Sequence, residues 1–175
     1  MPSTSIEGGN LTYEIERDGA EPPIILLHPA MMTRDVWDDH IDHLTTNKVV
    51  TADLRGHGET GGTDISTYDY DLFVDDLATL VEEVEGTPVL VGCSLGAETA
   101  LHYAREHPEA ITGVVAAGVA PRGGLRKYLA VAISRLQYGL TRLIGFDRLS
   151  RVLPSPLPEK EYYKFTEMMM GQSAS

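Results

Sequence analysis

Four short, mostly apolar runs that alternate with helical patterns constrain the fold of this chain more than any other feature. The runs occupy residues 24–27, 49–52, 89–91 and 111–117. Such runs are typical of parallel strands that other elements cover on both faces, because neither face then needs polar side chains. The alternation predicts an α/β fold, in which a mostly parallel sheet carries helices on both faces.

The segments between these runs have the apolar spacing of amphipathic helices. Trp37, Ile41 and Leu44 are separated by four and three residues, and longer apolar stripes cover residues 73–84 and 97–104. Spacings of three and four place such side chains on one face of a helix. We therefore predict one helix after each of the first three buried strands.

Both ends of the chain depart from this alternation of buried strands and amphipathic helices. Residues 11–16 alternate between apolar and polar, which predicts an outer strand. After Gly118, residues 125–143 form one long apolar stripe and residues 159–170 have the pattern of a shorter helix. No further strand is predicted, so the sheet is expected to lack C-terminal strands.

The charge of the chain is acidic and unevenly distributed. Residues 1–118 hold 5 Lys and Arg against 22 Asp and Glu, a net charge of −17, whereas residues 119–175 hold 9 against 4, a net charge of +5. The acidic body argues against nucleic acid as a partner. Two interpretations fit so acidic a composition: the surface of a protein from a salt-loving organism, or an ordinary acidic cytosolic protein.

Neither a membrane span nor a secretory signal is predicted. The apolar-rich region 125–146 is interrupted by Arg126, Arg135 and Arg142, and the N-terminus lacks a basic stretch followed by an apolar run. The single cysteine, Cys93, allows no intrachain disulfide. That composition fits a reducing compartment, so we expect a cytoplasmic protein without membrane partners.

Residues 92–96 read G-x-S-x-G and carry the central chemical signal of the sequence. A buried strand is predicted over residues 88–91, directly before the motif, and a helix over residues 97–106, directly after it. A strand–serine–helix turn needs small residues beside the serine and exposes the hydroxyl of Ser94 at the edge of the sheet. The helix N-terminus there favours the negative charge that develops during acyl transfer.

Together with other segments in the same order, this motif resembles the α/β-hydrolase fold-1 family. The matching residues are Leu26-Leu27-His28-Pro29-Ala30 with Trp37, Asp53-Leu54-Arg55-Gly56-His57-Gly58, Asp76, Val91-Gly92-Cys93-Ser94-Leu95-Gly96 and Ala104-Arg105-Glu106-His107-Pro108-Glu109. The resemblance implies that residues 1–121 form the N-terminal part of a hydrolase core. It also implies that residues 122–175 form a helical cap region and tail.

The resemblance further implies a role for individual residues at the serine. Ser94 would be the nucleophile, and the backbone N–H groups of Ala30 and Leu95 would form the oxyanion hole. His28 would support the loop that carries Ala30. Pro29 stands where glycine is usual in the family, and proline has no N–H and a fixed φ, which puts the shape of this loop in question.

Other side chains near the motifs are expected to support the site. Met31 and Trp37 are expected to line or support the pocket by apolar packing. Cys93 precedes the nucleophile and is expected to be a buried structural thiol, the alternative being that it is itself the nucleophile. His57 is expected to serve a structural turn, the alternative being a place in the pocket wall.

The acid and the histidine that complete the family's catalytic triad are not found at their usual places. The usual order is serine, acid, histidine. His102 lies inside the helix after the serine, His107 follows that helix, and residues 119–121 hold no carboxylate. We therefore interpret the chain as truncated after the cap, with the missing groups lost or supplied by a second polypeptide.

These observations predict a serine hydrolase that cleaves a small carboxylic ester or lactone through an acyl-enzyme. Inactivity of the chain by itself is an open alternative, as is a non-catalytic, degenerate hydrolase that binds a ligand or a partner at the open sheet edge. The expected partners are the small substrate and either another copy or a complementing C-terminal chain. No metal is expected, because the sequence shows no metal-ligand cluster, and the resemblance implies that no cofactor is needed. The G-x-G-x-x-G at residues 56–61 does not open a helix, which argues against a dinucleotide site.

Overall fold

The computed structural model describes residues 1–61, 63–119, 125–149 and 157–171. The strands are β1 (Ser3–Ile6), β2 (Gly9–Arg17), β3 (Ala20–Leu27), β4 (Asn47–Ala52), β5 (Val89–Cys93) and β6 (Gly113–Ala117). The α-helices are α1 (Asp38–Ile41), α2 (Tyr70–Glu83), α3 (Leu95–Glu106), α4 (Leu125–Ile144), α5 (Phe146–Leu149) and α6 (Glu159–Gly171), with 3-10 turns at Arg34–Trp37 and Pro108–Ala110.

The strands form one sheet in the order β1-β2-β4-β3-β5-β6. The pairs among β4, β3, β5 and β6 are parallel, and β2 runs antiparallel to both β1 and β4. The predicted α/β fold with a mostly parallel sheet is thereby confirmed. The strand expected at residues 11–16 is β2, but the outermost strand is β1, which the spacing did not predict because the segment STSI holds a single apolar residue.

Helices cover both faces of the sheet, but unequally. The larger core lies between the strands and helices α2 and α3, where Phe73, Leu77 and Tyr103 pack against the strand residues Ile25 and Leu90. A smaller cluster on the other face comprises Leu26, Ile41 and Val49, with Ile24, Trp37, Leu44 and Val91 packed against it.

The helix expected around Trp37, Ile41 and Leu44 is much shorter than its spacing indicated. The backbone forms a 3-10 turn at Arg34–Trp37 and a single α-helical turn at Asp38–Ile41. All three apolar side chains nevertheless pack in the smaller cluster. The burial was therefore predicted correctly, but residues 38–40 are all polar and exposed and offer no wider apolar face to extend the helix.

The sheet ends at β6, and the remaining described elements are helices. Strand β6 pairs only with β5, and within the described ranges no strand follows Ala117. Val115, in the middle of β6, is 56% exposed. The predicted boundary between residues 121 and 122 lies outside the described residues.

Helix α6 packs on the body of the protein through a buried polar cluster. The Tyr68 hydroxyl donates to a carboxylate oxygen of Glu161. The ammonium of Lys164 lies 3.2 Å from the other oxygen of that carboxylate, donates to the carbonyl oxygen of Thr63 at 2.9 Å, and stands 4.9 Å from the centre of the Tyr68 ring. These contacts hold α6 against the segment that follows β4. No helix among the described residues is long and apolar enough to cross a lipid bilayer.

Candidate active site

Ser94 occupies a sharp bend between β5 and α3 at the carboxyl edge of the sheet. Its φ of 50° and ψ of −111° lie outside the common regions for a residue with a Cβ. Its backbone N–H donates to the carbonyl oxygen of Ala117 at 2.9 Å, and its carbonyl oxygen accepts from the N–H of Glu98 at 2.9 Å. The residue is exposed to solvent. Its neighbours therefore hold the backbone while the hydroxyl side chain stays accessible.

The two glycines of the motif allow the strand and the helix to approach closely. A Cβ on Gly92 would lie 2.4 Å from backbone atoms of Gly96, and a Cβ on Gly96 would lie 2.3 Å from the carbonyl oxygen of Leu27. Real Cβ atoms essentially never come so close to backbone atoms. The G-x-S-x-G pattern is thus required by packing at the bend, independently of any chemistry at the serine.

Replacing Gly96 with alanine is expected to lower the free energy of unfolding by about 1–3 kcal/mol, the usual cost of overpacking. The reason is that the new methyl would meet the backbone of Leu27, which lies in the central strand β3 and cannot move cheaply. Urea denaturation followed by circular dichroism measures the change. Gly113→Ala is the matched control, because a Cβ there has no atom within 4 Å. Equal stabilities of the two variants would contradict the packing argument.

The loop after β3 lies beside the bend. Leu27 pairs in register with Gly92 across the parallel strands β3 and β5. The residues that follow these two strands therefore leave the same edge of the sheet about 5 Å apart. This arrangement brings Ala30, which is partly buried, toward Ser94. Leu95 is the first residue of α3, where the backbone N–H has no carbonyl partner within the helix.

The loop after β3, residues 28–31, is held by the hydrogen bonds of two buried histidines, His28 and His57. The N–H of Leu54 donates to Nε2 of His28 at 2.8 Å, and the N–H of Met31 donates to Nε2 of His57 at 3.1 Å. The ring centres of His28 and His57 are 5.0 Å apart. Met31 has a φ of 64°, in the left-handed region that a side chain with a Cβ rarely adopts.

Both histidines are neutral at ordinary pH. Burial, helped by the neighbouring His57 ring, lowers the pKa of His28 from 6.5 to about 4. Burial also lowers the pKa of His57, against the opposing effect of the hydrogen bond to Arg55 and of the Asp53 carboxylate. Neither ring is free to act as a base for Ser94, because each of its nitrogens contacts the backbone.

The other four histidines have different surroundings. His102 stacks on the Tyr70 ring at 5.1 Å, and His107 ends α3 beside the Tyr103 ring. His40 and His43 are exposed near α1. The hydrogen bonds of His28 and His57 all go to backbone groups, and none of these goes to the Ser94 hydroxyl.

Three residues expected near the pocket have distinct surroundings. Trp37 packs in the smaller cluster with Ile24 and Leu44, so it supports the face of the sheet opposite to helices α2 and α3. Met31 is half-buried in the loop after β3. Cys93 was expected to be buried, but its side chain is only half-buried, because it lies at the end of β5 beside the edge strand β6.

The segment after β4 has a role in the site that the sequence did not reveal. The carboxylate of Asp53 accepts from the N–H of Arg34 at 2.8 Å, from the N–H of Glu59 at 3.0 Å and from the Arg34 guanidinium. A Cβ on Gly58 would lie 2.3 Å from that carboxylate. Gly58 thus allows close packing against Asp53, and the N–H of the neighbouring Glu59 bonds to that carboxylate, so this packing fixes the segment that carries His57. Within the described ranges, no three His, Cys, Asp or Glu side chains are placed to hold a metal ion.

Comparison with characterised proteins agrees with the fold. The chain is 28% identical over 126 residues to 2-(acetamidomethylene)succinate hydrolase of Mesorhizobium japonicum, a match that covers 68% of this chain and 43% of the relative. It is 29% identical over 117 residues to the sn-1-specific diacylglycerol lipase ABHD11 of Danio rerio, covering 64% of this chain and 36% of the relative. The chain therefore matches about two fifths of the length of these relatives.

Solved structures share the architecture at low sequence identity. A carboxylesterase structure from the thaumarchaeon Nitrososphaera gargenis superposes with a TM-score of 0.81 at 20% identity, covering 97% of this chain and 72% of that protein. In sequence, the profile of the alpha/beta hydrolase family matches residues 24–172. This match includes the strand–serine–helix bend, the loop after β3 and helix α6, and it extends over most of the chain. The chain therefore belongs to the alpha/beta hydrolase family.

Proposed function

We propose that this chain provides the nucleophile and the oxyanion hole of a serine hydrolase that cleaves a small carboxylic ester or lactone through an acyl-enzyme. The observation that carries the proposal is the exposed Ser94 at a strained bend directly before helix α3. Strained backbone of this kind is concentrated at functional sites. The lipase and the carboxylesterase among the similar proteins are, by name, enzymes of ester cleavage, which supports an ester substrate.

The proposed reaction begins with attack of the Ser94 Oγ on the carbonyl carbon of the substrate. The hydroxyl proton passes to a base, and the carbonyl electrons move onto oxygen, where the N–H groups of Ala30 and Leu95 and the N-terminus of α3 stabilise the charge. Collapse restores the carbonyl and expels the alcohol, which takes the proton from the base. Water then cleaves the acyl-serine by the same steps and releases the carboxylic acid.

The base of this reaction is proposed to come from polypeptide that this sequence does not contain. His28 and His57, the two histidines of the segments beside the bend, have both ring nitrogens in contact with the backbone, so neither can take the proton of Ser94. Among the residues that the structure describes, strand β6 pairs with β5 alone and Val115 is exposed, so a further strand can pair on its other side. A complementing segment that extends the sheet from β6 would bring its own side chains to the carboxyl edge that Ser94 occupies.

A second candidate function is that of a non-catalytic protein that binds a ligand or a partner. The observation that favours it is that neither His28 nor His57 is free to take the proton of Ser94. A serine without a base is a weak nucleophile at its free pKa. The two functions differ in whether the Ser94 hydroxyl has enhanced reactivity. Oxyanion stabilisation alone leaves a rate enhancement of about a thousandfold in hydrolases that have lost triad members.

A fluorophosphonate probe, which bonds to serine oxygen and releases fluoride, tests the proposal. We expect slow formation of one adduct, located on Ser94 by mass spectrometry, and acceleration by added imidazole, which replaces the missing base. Ser94→Ala should abolish the adduct. Ser66→Ala is the control, because Ser66 is an exposed serine in a loop without the bend and should not change the rate. Absence of any adduct on Ser94 in the presence of imidazole would support the non-catalytic protein instead.

A further inference from the structure

Two histidines fix the two peptide planes on either side of Ala30. The N–H of Met31 donates to His57 at 3.1 Å, and Nδ1 of His28 lies 2.8 Å from the carbonyl oxygen of Pro29. Because a peptide unit is planar, the first contact fixes the plane between residues 30 and 31, and the second fixes the plane before it. The Ala30 N–H belongs to that earlier plane and points away from the Pro29 oxygen, so its direction depends on both rings.

The hydrogen-bond partners also fix the tautomer of each ring. A backbone N–H only donates, so Nε2 of His57 accepts from Met31, and its Nδ1–H donates to the carbonyl oxygen of Arg55 at 2.8 Å. His28 is arranged in the same way, with Nε2 accepting from the N–H of Leu54. Protonation of either Nε2 would turn an acceptor into a donor that faces another donor. Each ring can therefore hold the loop only in its neutral form.

The conformation of Met31 makes the loop dependent on this support. A φ of 64° is unfavourable for a residue with a Cβ, and the hydrogen bond to His57 offsets that cost. Without the bond, the backbone of Met31 is free to return to negative φ. That change would free the peptide between residues 30 and 31, which is joined at the Ala30 Cα to the peptide that carries the Ala30 N–H, so the direction of this N–H would no longer be fixed from both sides.

We propose that His28 and His57, the imidazole clamp, are positioning residues that aim the Ala30 N–H at the oxyanion, and that protonation of the clamp releases the loop in mildly acidic solution. This inference rests on the proposed function of Ser94 and Ala30, and it adds a pH-dependent control of the same site.

The clamp is nearly free of solvent and lies among few charges. The groups that face His57 are Asp53 on its own segment, Glu161 and the Phe165 ring on helix α6, and His28 after β3. Those that act on His28 are His57, Asp53 and Asp35. The two carboxylates favour the charged ring, but burial is the largest effect and lowers the pKa of His57 below 6.5. Release of the loop is therefore expected below pH 6.5.

His57→Leu and His57→Gln separate the two roles of the ring. Leucine fills a similar volume without an acceptor, whereas the glutamine amide oxygen accepts from the Met31 N–H and does not titrate. For His57→Leu we expect at least a roughly tenfold slower reaction of Ser94 with the fluorophosphonate, since a misplaced oxyanion donor costs about that much or more. For His57→Gln we expect a rate within about threefold of the natural chain at pH 7, and a smaller loss of rate than in the natural chain as the pH falls below 6.5.

Hydrogen exchange of the Met31 amide, followed by NMR, measures whether the clamp still holds this N–H, and it requires no reaction at Ser94. Protection is expected at pH 7 in the natural chain, with loss as His57 titrates. It should persist at low pH in His57→Gln and be absent at every pH in His57→Leu. His43→Leu, at an exposed histidine outside the loop, is the control and should change neither the rate nor the exchange.

The two measurements distinguish failure of this inference from failure of the proposed function. If Ser94 in the natural chain does not react with the probe, the proposed function fails, while Met31 exchange still tests the clamp. If Ser94 reacts and His57→Leu reacts equally fast, the positioning role is overturned. Protection of Met31 that is independent of pH in the natural chain would overturn the pH-dependent release.

Discussion

Replacement of Asp76 by alanine is expected to lower the free energy of unfolding by about 3–5 kcal/mol, because it leaves the Arg55 guanidinium buried without a counter-charge. Arg55 has no solvent exposure and makes two contacts with the Asp76 carboxylate, from Nε at 2.9 Å and from Nη2 at 2.5 Å. It also donates to the carbonyl oxygen of Glu7 at 2.8 Å. The change would therefore loosen the N-terminal hairpin and the segment that carries His57.

Urea denaturation of the variants measures this effect. The control is Glu106→Ala, which breaks a pair with Arg105 whose side chains are 64% and 41% exposed, and which should cost less than about 1 kcal/mol. Changing both partners, as in Arg55→Met with Asp76→Leu, should recover much of the lost stability, because no charge is then left buried alone. If Asp76→Ala cost no more than Glu106→Ala, the pair would not have the importance that its burial indicates.

Acidification from pH 6.5 toward pH 4 is expected to destabilise the fold through the imidazole clamp. The pKa of His28 in the folded chain is about 4, against 6.5 for an exposed histidine, so the unfolded state binds the proton first. The contribution of this ring to stability is complete above pH 6.5 and is lost as the pH falls toward 4. By pH 5 the loss from His28 should be on the order of 2 kcal/mol, and burial of His57 adds to it in the same direction.

Denaturation curves recorded between pH 7.5 and 5 test this linkage. His28→Gln keeps an acceptor for the Leu54 N–H but does not titrate, so its stability should fall less steeply with decreasing pH than that of the natural chain. His40→Gln, at an exposed position, should give a curve parallel to that of the natural chain. Parallel curves for His28→Gln and the natural chain would show that another group causes the acid sensitivity.

The order of strands and helices and the place of the serine motif could be predicted from the sequence. Apolar runs and helical stripes report local burial, and local burial follows from the periods of strands and helices. The prediction of α2 and α3 succeeded for this reason, since each carries a wide apolar face. It failed for β1, which has one apolar residue, and for the helix around Trp37, where the apolar face is narrow.

The details of the site depend on contacts between residues far apart in sequence. His57 meets Met31 across 26 positions, Arg55 meets Asp76 across 21, and Tyr68 meets Glu161 across 93. Local spacing carries no information about such pairs, because they depend on which strands lie side by side and in what register.

The sequence by itself determined an α/β fold with a serine at the turn between a buried strand and a helix. Its glycines, apolar runs and helical stripes act over a few residues, so they are readable without coordinates. Only the tertiary structure decided that β3 lies between β4 and β5, and that two neutral histidines hold the loop beside the serine. The reason is that hydrogen bonding and burial of those rings arise from the packing of the whole sheet edge, which no single segment encodes.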